Sequence, residues 1–245
     1  MLLAKIWDKI GAGLRKNVPA NTCFLSPREL EMARYLFGET EGLSPFGGYP
    51  EAERQMLCYL PEYLGESFLY GPDAPLVCLR AEFSPADHPS HRDFLGSLMG
   101  AGIGRETIGD ICVDNCSCDF FVTTEIAPYV LQNLTDAGRT KLRLIQIPLS
   151  SVRIPEPEVR QIRDTLASLR LDSVISSGFR ISRSAAAQYV SAGKAAINGL
   201  PCEKPDKPVR VADKISVRGL GKCVLRSVGG QTKKGRIAVF IDQYI

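Results

Sequence analysis

Two prolines standing two residues apart, in Val152-Arg-Ile-Pro155-Glu-Pro157-Glu158, constrain this chain more than any other feature. Each fixes its own φ, removes a backbone donor and pushes the preceding residue toward extended backbone. No helix can run across them, so a domain boundary is expected between 150 and 165. The charge changes sign at about the same place. Residues 170–245 carry 14 of the 30 Lys and Arg but only 5 of the 27 Asp and Glu, a net of +9. The remaining 169 residues hold 16 bases and 22 acids, a net of −6, and the two parts sum to an uninformative +3. A basic module on an acidic body points to a polyanionic partner, usually nucleic acid. The acidic part is expected either to limit non-specific nucleic-acid binding or to recruit a basic protein partner.

Length bounds the rest. With 245 residues, 44% of them hydrophobic and 23% charged, the chain has enough material for one to three folded units. It has no run of eighteen apolar residues, so no membrane partner is expected. Lys5, Asp8 and Lys9 interrupt the stretch where a secretory signal needs an apolar core, so the protein is expected in the cytoplasm. A monomer is expected.

The eight cysteines lie at 23, 58, 78, 112, 116, 118, 202 and 223. Cys58, Cys78 and Cys112 sit among apolar neighbours and read as small core residues. Cys112-Val-Asp-Asn-Cys116-Ser-Cys118 is a candidate metal cluster, but its fourth ligand would have to come from His88 or His91. An Asp-Asn turn between two apolar runs reads instead as a hairpin with incidental cysteines. Neither metal nor cofactor is expected.

Three domains of an α+β protein are expected: a mostly helical region over 1–70, a second domain over 71–152, and a third over 165–245. In the first, Leu3, Ile6, Ile10 and Leu14 make one helical stripe, and Ser26-Pro27-Arg28-Glu29 is a helix start. Phe46-Gly-Gly-Tyr-Pro50-Glu-Ala-Glu-Arg54 reads as a turn leading into a short helix. The second domain alternates in period: a strand at 76–82, a helix at 90–99, strands at 108–114 and 117–123, a helix at 125–137 and a strand at 142–148. That β-α-β-β-α-β order is ferredoxin-like and is shared by RNA-recognition motifs. Such motifs stack bases on exposed sheet aromatics. Phe120 and Phe121 are adjacent and face opposite sides, so at most one could serve; a scaffold or protein-docking role is expected.

The sharpest pattern lies in the basic module. Leu171, Val174 and Ile175 form a helical face that Gly178 is expected to stop; Ser182 caps a second helix running to about 192. Arg183 falls in that helix's first turn, where the macrodipole disfavours a cation unless an anion is bound. A phosphate held by Arg183, the Ser184 hydroxyl and the helix N–H groups satisfies all three; an arginine swung into solvent is the alternative.

Arg170-Leu-Asp172, Gly178, Ser182-Arg183, Gly193-Lys194, Asn198-Gly199, the Pro- and Lys-rich turn at 204–208 and Asp213-Lys-Ile-Ser-Val-Arg218 together resemble the S4 RNA-binding domain. Ala195-Ala196, where valine is common, and Leu220, where a lysine is common, depart from that pattern. Ser216-Val-Arg218-Gly-Leu-Gly221-Lys222 and Thr232-Lys233-Lys234-Gly-Arg236 are similar to the tail of bacterial YlmH-type S4 proteins. So are Phe24-Leu-Ser-Pro-Arg-Glu29, Phe46-Gly-Gly-Tyr-Pro50 and Arg105-Glu-Thr-Ile-Gly-Asp110. The resemblance implies a small αL-type C-terminal fold and non-catalytic binding of structured RNA, ribosomal or transfer, on the large ribosomal subunit in quality control. On that reading Arg180, Arg183, Lys194, Lys207, Arg218, Lys222, Lys233, Lys234 and Arg236 meet phosphates, and Ser182, Ser184 and Asn198 add hydrogen bonds.

The alternative is an RNA-modifying enzyme resembling pseudouridine synthases, with chemistry in the middle domain. Asp172 lies on the first S4 helix, where it caps or pairs with an arginine rather than acting as nucleophile. His-Ile-Gly-His and Lys-Met-Ser-Lys-Ser strings, expected of tyrosyl-tRNA synthetases, do not occur. Gly100-Ala-Gly102-Ile-Gly104 lacks the Gly-Lys-Ser/Thr of a phosphate loop, and Asp87-His88-Pro-Ser-His91 reads as a helix entry.

Overall fold

The computed structural model describes residues 2–155, 158–232 and 235–244. The chain forms two compact units, residues 1–155 and 156–245.

The first unit begins with α1 (Leu2–Lys16), whose Ile6 and Ile10 are buried on the expected stripe. After the short strand β1 (Ala20–Asn21) comes α2 (Pro27–Phe37), held by a reciprocal cap. Its Ser26 hydroxyl accepts from the Glu29 N–H while the Glu29 carboxylate accepts from the Ser26 N–H at 2.7 Å. Residues 1–70 are not mostly helical, however. Strands β2 (Leu43–Phe46) and β3 (Met56–Tyr59) join β1 in a sheet of order β1-β3-β2. All four residues of β3 are buried: Leu57 and Tyr59 pack with α1 and α2, Met56 and Cys58 against a second sheet. A strand buried on both faces shows no alternation, which is why its period is mute.

The second sheet comes from β4 (Leu76–Glu82), β5 (Ile108–Val113) and β6 (Ser117–Thr123), with helices α3 (His91–Gly100) and α4 (Ala127–Asn133). A two-stranded ribbon, β7 (Asp136–Ala137) and β8 (Thr140–Lys141), precedes its last strand, β9 (Arg143–Ile147). The order β5-β6-β4-β9, antiparallel throughout, is the ferredoxin-like arrangement. Helix α4 is shorter than the expected 125–137. Leu79, Ala81, Phe120 and Val122 pack under the helices, while Leu76, Cys78 and Phe121 pack under Phe24, Phe46 and Met56 of the N-terminal region. The unit is therefore four layers: helices, sheet, sheet, helices. The sheet face on which an RNA-recognition motif stacks bases is covered, and both Phe120 and Phe121 are fully buried, so neither reaches a ligand.

Gly48 sits in this interior with φ +92°, and a Cβ there would lie 2.5 Å from the Phe121 ring. Gly48→Ala adds left-handed strain to that overlap and is expected to cost about 2 kcal/mol, measured by urea unfolding. A loss below about 0.5 kcal/mol would show that the ring moves aside freely.

In the second unit β10 (Val159–Leu166) begins right after the prolines, and α5 (Leu171–Phe179) and α6 (Arg183–Ser191) follow. Then come β11 (Ala195–Ile197), β12 (Leu200–Pro201), β13 (Lys214–Val217), β14 (Gly221–Gln231) and β15 (Ile237–Tyr244). They form one sheet of order β10-β15-β14-β13-β11-β12. Ile162, Val239, Ile241, Cys223 and Leu225 of that sheet pack with Val174, Ile175, Ala186 and Val190 of the helices. Gly178 does not stop α5. It is buried inside the helix, where a Cβ would come within 3.2 Å of Cys223 Sγ; glycine lets the helix lie close on the sheet. The left-handed stop is Arg180, at φ 53°.

Candidate nucleic-acid interface

The start of α5 is held from outside. The N–H groups of Leu171 and Asp172 donate to the carbonyls of Lys207 and Pro205, so the 204–208 turn caps the helix. This fixes Asp172, which is buried, between two guanidinium groups. Arg170 donates to it through Nε and Nη2, both at 3.2 Å, and Arg183 through Nε at 3.1 Å. Burial pushes the Asp172 carboxyl up, but these bonds outweigh it and hold the group below the usual carboxylate range. Both of its oxygens are engaged, so Asp172 holds the two guanidinium groups in place.

Arg183 is thus neither swung into solvent nor dependent on a bound anion for its place. Its side chain is 54% exposed and held by Asp172 from the preceding helix. Ser182 Oγ accepts from the Ala185 N–H at 3.2 Å and lies 3.0 Å from Ser184 Oγ, so both hydroxyls stand at the α6 entrance beside Arg183. Arg180 is exposed and follows Phe179, whose ring lies 3.9 Å from where a Gly221 Cβ would be; Arg218 lies in the turn before Gly221, and Lys222 stands on β14, paired with Ser216. The Arg218 N–H donates to the Lys194 carbonyl at 2.8 Å, and the Lys194 ammonium lies 5.5 Å from the Tyr189 ring centroid. Lys207 is exposed in the turn that caps α5.

Two expected contacts are otherwise employed. Asn198 accepts from the Lys214 N–H at 2.9 Å and donates to Asp213 at 2.8 Å, so its amide pins a turn. Arg236 donates to the hydroxyl and carbonyl of Thr165, locking β10 onto the β14–β15 hairpin. Lys233 and Lys234 lie outside the described residues. Arg170 was legible only as part of a motif, although it forms half of the Asp172 clamp.

The cysteines do not converge. Cys112 and Cys118 belong to opposite faces of the ferredoxin-like sheet, and Cys116 is exposed at the hairpin turn. Burial pushes the Cys112 thiol up to about 11. Among the described residues, no group of three His, Cys, Asp or Glu side chains could hold a metal ion, and no helix is long and apolar enough to cross a membrane.

Two segments of the first unit some sixty residues apart in sequence meet at Asp110. Its carboxylate accepts from Tyr49 Oη at 2.7 Å, the Glu53 N–H at 2.6 Å and the Arg54 N–H at 3.0 Å. Arg54 in turn donates to the carbonyls of Ile108, Phe24 and Arg105. These tertiary bonds replace the short helix expected after Pro50.

Comparison with known proteins agrees with both units. Residues 87–151 match the family model described as a putative RNA-binding domain in YlmH, and residues 169–215 match the S4 domain. The chain is 35% identical over 224 residues to ribosome-associated protein quality control protein P2 of Bacillus subtilis (strain 168), covering 91% of this chain and 86% of that protein. The chain belongs to the YlmH family. A solved structure, cell division protein ylmH from Streptococcus pneumoniae, matches with a TM-score of 0.53 at 21% identity, over 63% of this chain and 93% of that one. At that identity the likeness concerns the fold alone. In this YlmH-family chain the S4 match ends within β13, so β10, β14 and β15 are built from segments outside it.

Proposed function

We propose that the chain is a non-catalytic RNA-binding protein that associates with the large ribosomal subunit in quality control, reading structured ribosomal or transfer RNA through its S4 unit. One observation carries this: Arg183 stands half-exposed at a helix entrance, pre-set by the buried Asp172 and flanked by the Ser182 and Ser184 hydroxyls. A guanidinium fixed in advance loses little freedom when it meets a phosphate, and the adjacent helix N-terminus favours the same anion. Arg180, Lys194, Lys207 and Arg218 extend the contact. The relative's name supports the ribosomal setting, and the two family models support RNA binding. Recognition through backbone and shape suits a surface rich in Arg, Lys and Ser.

The test is binding of the full chain to a structured ribosomal RNA hairpin across salt, with co-sedimentation on large subunits as a second readout. Arg183→Ala is expected to weaken hairpin binding about tenfold and lower the salt slope by about one. A salt-independent affinity, or an unchanged variant, overturns the reading.

A further inference from the structure

The sheet of the second unit has two faces, and among its described residues both helices pack on one of them. On β10, Ile162 and Leu166 point to the helices, so Gln161, Arg163 and Thr165 point away. Their register partners on β15 are Asp242, Phe240 and Ala238, which alternate with the buried Val239 and Ile241. The face turned from the helices is thus centred on an aromatic ring. The Arg163 guanidinium lies 5.5 Å from the Phe240 centroid. Gly229 of β14 lies against the other side of the half-buried ring, where a Cβ would be 3.7 Å from Phe240 Cε2. Arg226 reaches Asp242 at 3.9 Å, and Lys214, paired with Val224, lies on the same face. Lys222, paired with Ser216, lies there too, so four bases against one carboxylate give this face a positive charge.

We infer that the outer face of this sheet, centred on Phe240 and Arg163, is a second nucleic-acid surface that takes single-stranded RNA by stacking. It is distinct from the helix-entrance surface around Arg183 and goes beyond the proposed reading of structured RNA. An open antiparallel sheet with an aromatic flanked by arginines is a sequence-tolerant platform, because every base has a face to stack while the cations meet phosphates. An apolar protein partner would meet Arg163, Arg226 and Lys214 across a largely polar face. The β14 and β15 strands carry it past the matched S4 residues, so the platform is an addition to the RNA-binding module rather than part of it.

The experiment uses the full chain, a labelled twelve-nucleotide oligouridylate and the ribosomal hairpin. Phe240→Leu keeps an apolar side chain but removes the ring, and is expected to weaken oligouridylate binding about tenfold. Arg163→Gln, an exposed change that leaves the core intact, should weaken it severalfold and reduce its salt slope. Neither should alter hairpin binding by more than about twofold, whereas Arg183→Ala should do the reverse. Ultraviolet crosslinking of the oligomer should fall on the peptide holding 237–244. Unchanged oligouridylate binding in both variants, or crosslinks confined to the α5–α6 region, overturns the inference while leaving the hairpin result standing. Concentration-dependent dimerisation that Phe240→Leu abolishes would overturn it too, by showing that a second copy covers the face.

Discussion

Asp110→Ala should lower the stability of the first unit by about 4 kcal/mol. The carboxylate collects three donors from the 49–54 segment: the Tyr49 hydroxyl and the N–H groups of Glu53 and Arg54. Removing it strands all three, and each unmet donor costs about 1–3 kcal/mol, the larger figure applying where water cannot enter. Glu53 is exposed, so water relieves part of its share. Tyr49 is stacked on the fully buried Phe121 at 5.4 Å, where a hydroxyl without its partner is costly. The loss also frees the backbone that holds Arg54 against the carbonyls of Phe24, Arg105 and Ile108, so the N-terminal region loosens from the ferredoxin-like sheet. Tyr49→Phe removes one bond and should cost only about 1 kcal/mol. Urea unfolding followed by the single tryptophan, Trp7 on α1, reads this unit directly. An Asp110→Ala loss no greater than that of Tyr49→Phe would mean the carboxylate is not the keystone of the 49–54 segment.

Where local chemistry decides, the sequence is readable. Ser26 with Glu29 and Ser182 announce their helices because a cap needs only neighbours. The six elements from Leu76 to Ile147 were legible because their hydrophobic period changes from element to element. What failed was local evidence overruled from a distance. Acids after Pro50 favour a helix start, but Asp110, some sixty residues on, takes those N–H groups first. Met56–Tyr59 lies between two apolar layers and loses the alternation that marks a strand. Gly178 carries the usual sign of a helix stop, yet serves close packing on Cys223. At the site, Arg183 stood out through its conflict with the helix dipole. The resolution of that conflict, a carboxylate eleven residues earlier, needed the pairing of two helices. Asn198 and Arg236 show the converse: polar residues in a basic module that serve turns and strands.

Asp172→Asn should affect both the stability and the RNA binding of the second unit. The carboxylate receives three hydrogen bonds from charged donors, and an amide retains only one oxygen to accept them. Bonds to charged groups are each worth about 1.5–3 kcal/mol, but Arg170 and Arg183 are 39% and 54% exposed, so water recovers much of their share. A net loss of about 2 kcal/mol is expected, which lowers the hydrogen-exchange protection of the α5 amides about thirtyfold if they open with the unit. The acid limb gives an independent check. Because the folded carboxyl is held below its ordinary value, its contribution is fully present above the unfolded carboxylate range and is lost as pH falls through the lower, folded value. The wild-type α5 amides should therefore lose protection in that acid window more steeply than those of Asp172→Asn. RNA binding separates a positioning role from a merely structural one. If Asp172 acts by fixing Arg183, hairpin affinity falls in Asp172→Asn although the net positive charge has risen by one. Adding Arg183→Ala to that variant should then cost much less than the tenfold it costs alone, because the guanidinium it removes is no longer held in place. Were the charge all that mattered, Asp172→Asn would bind RNA more tightly, and the two substitutions would act independently.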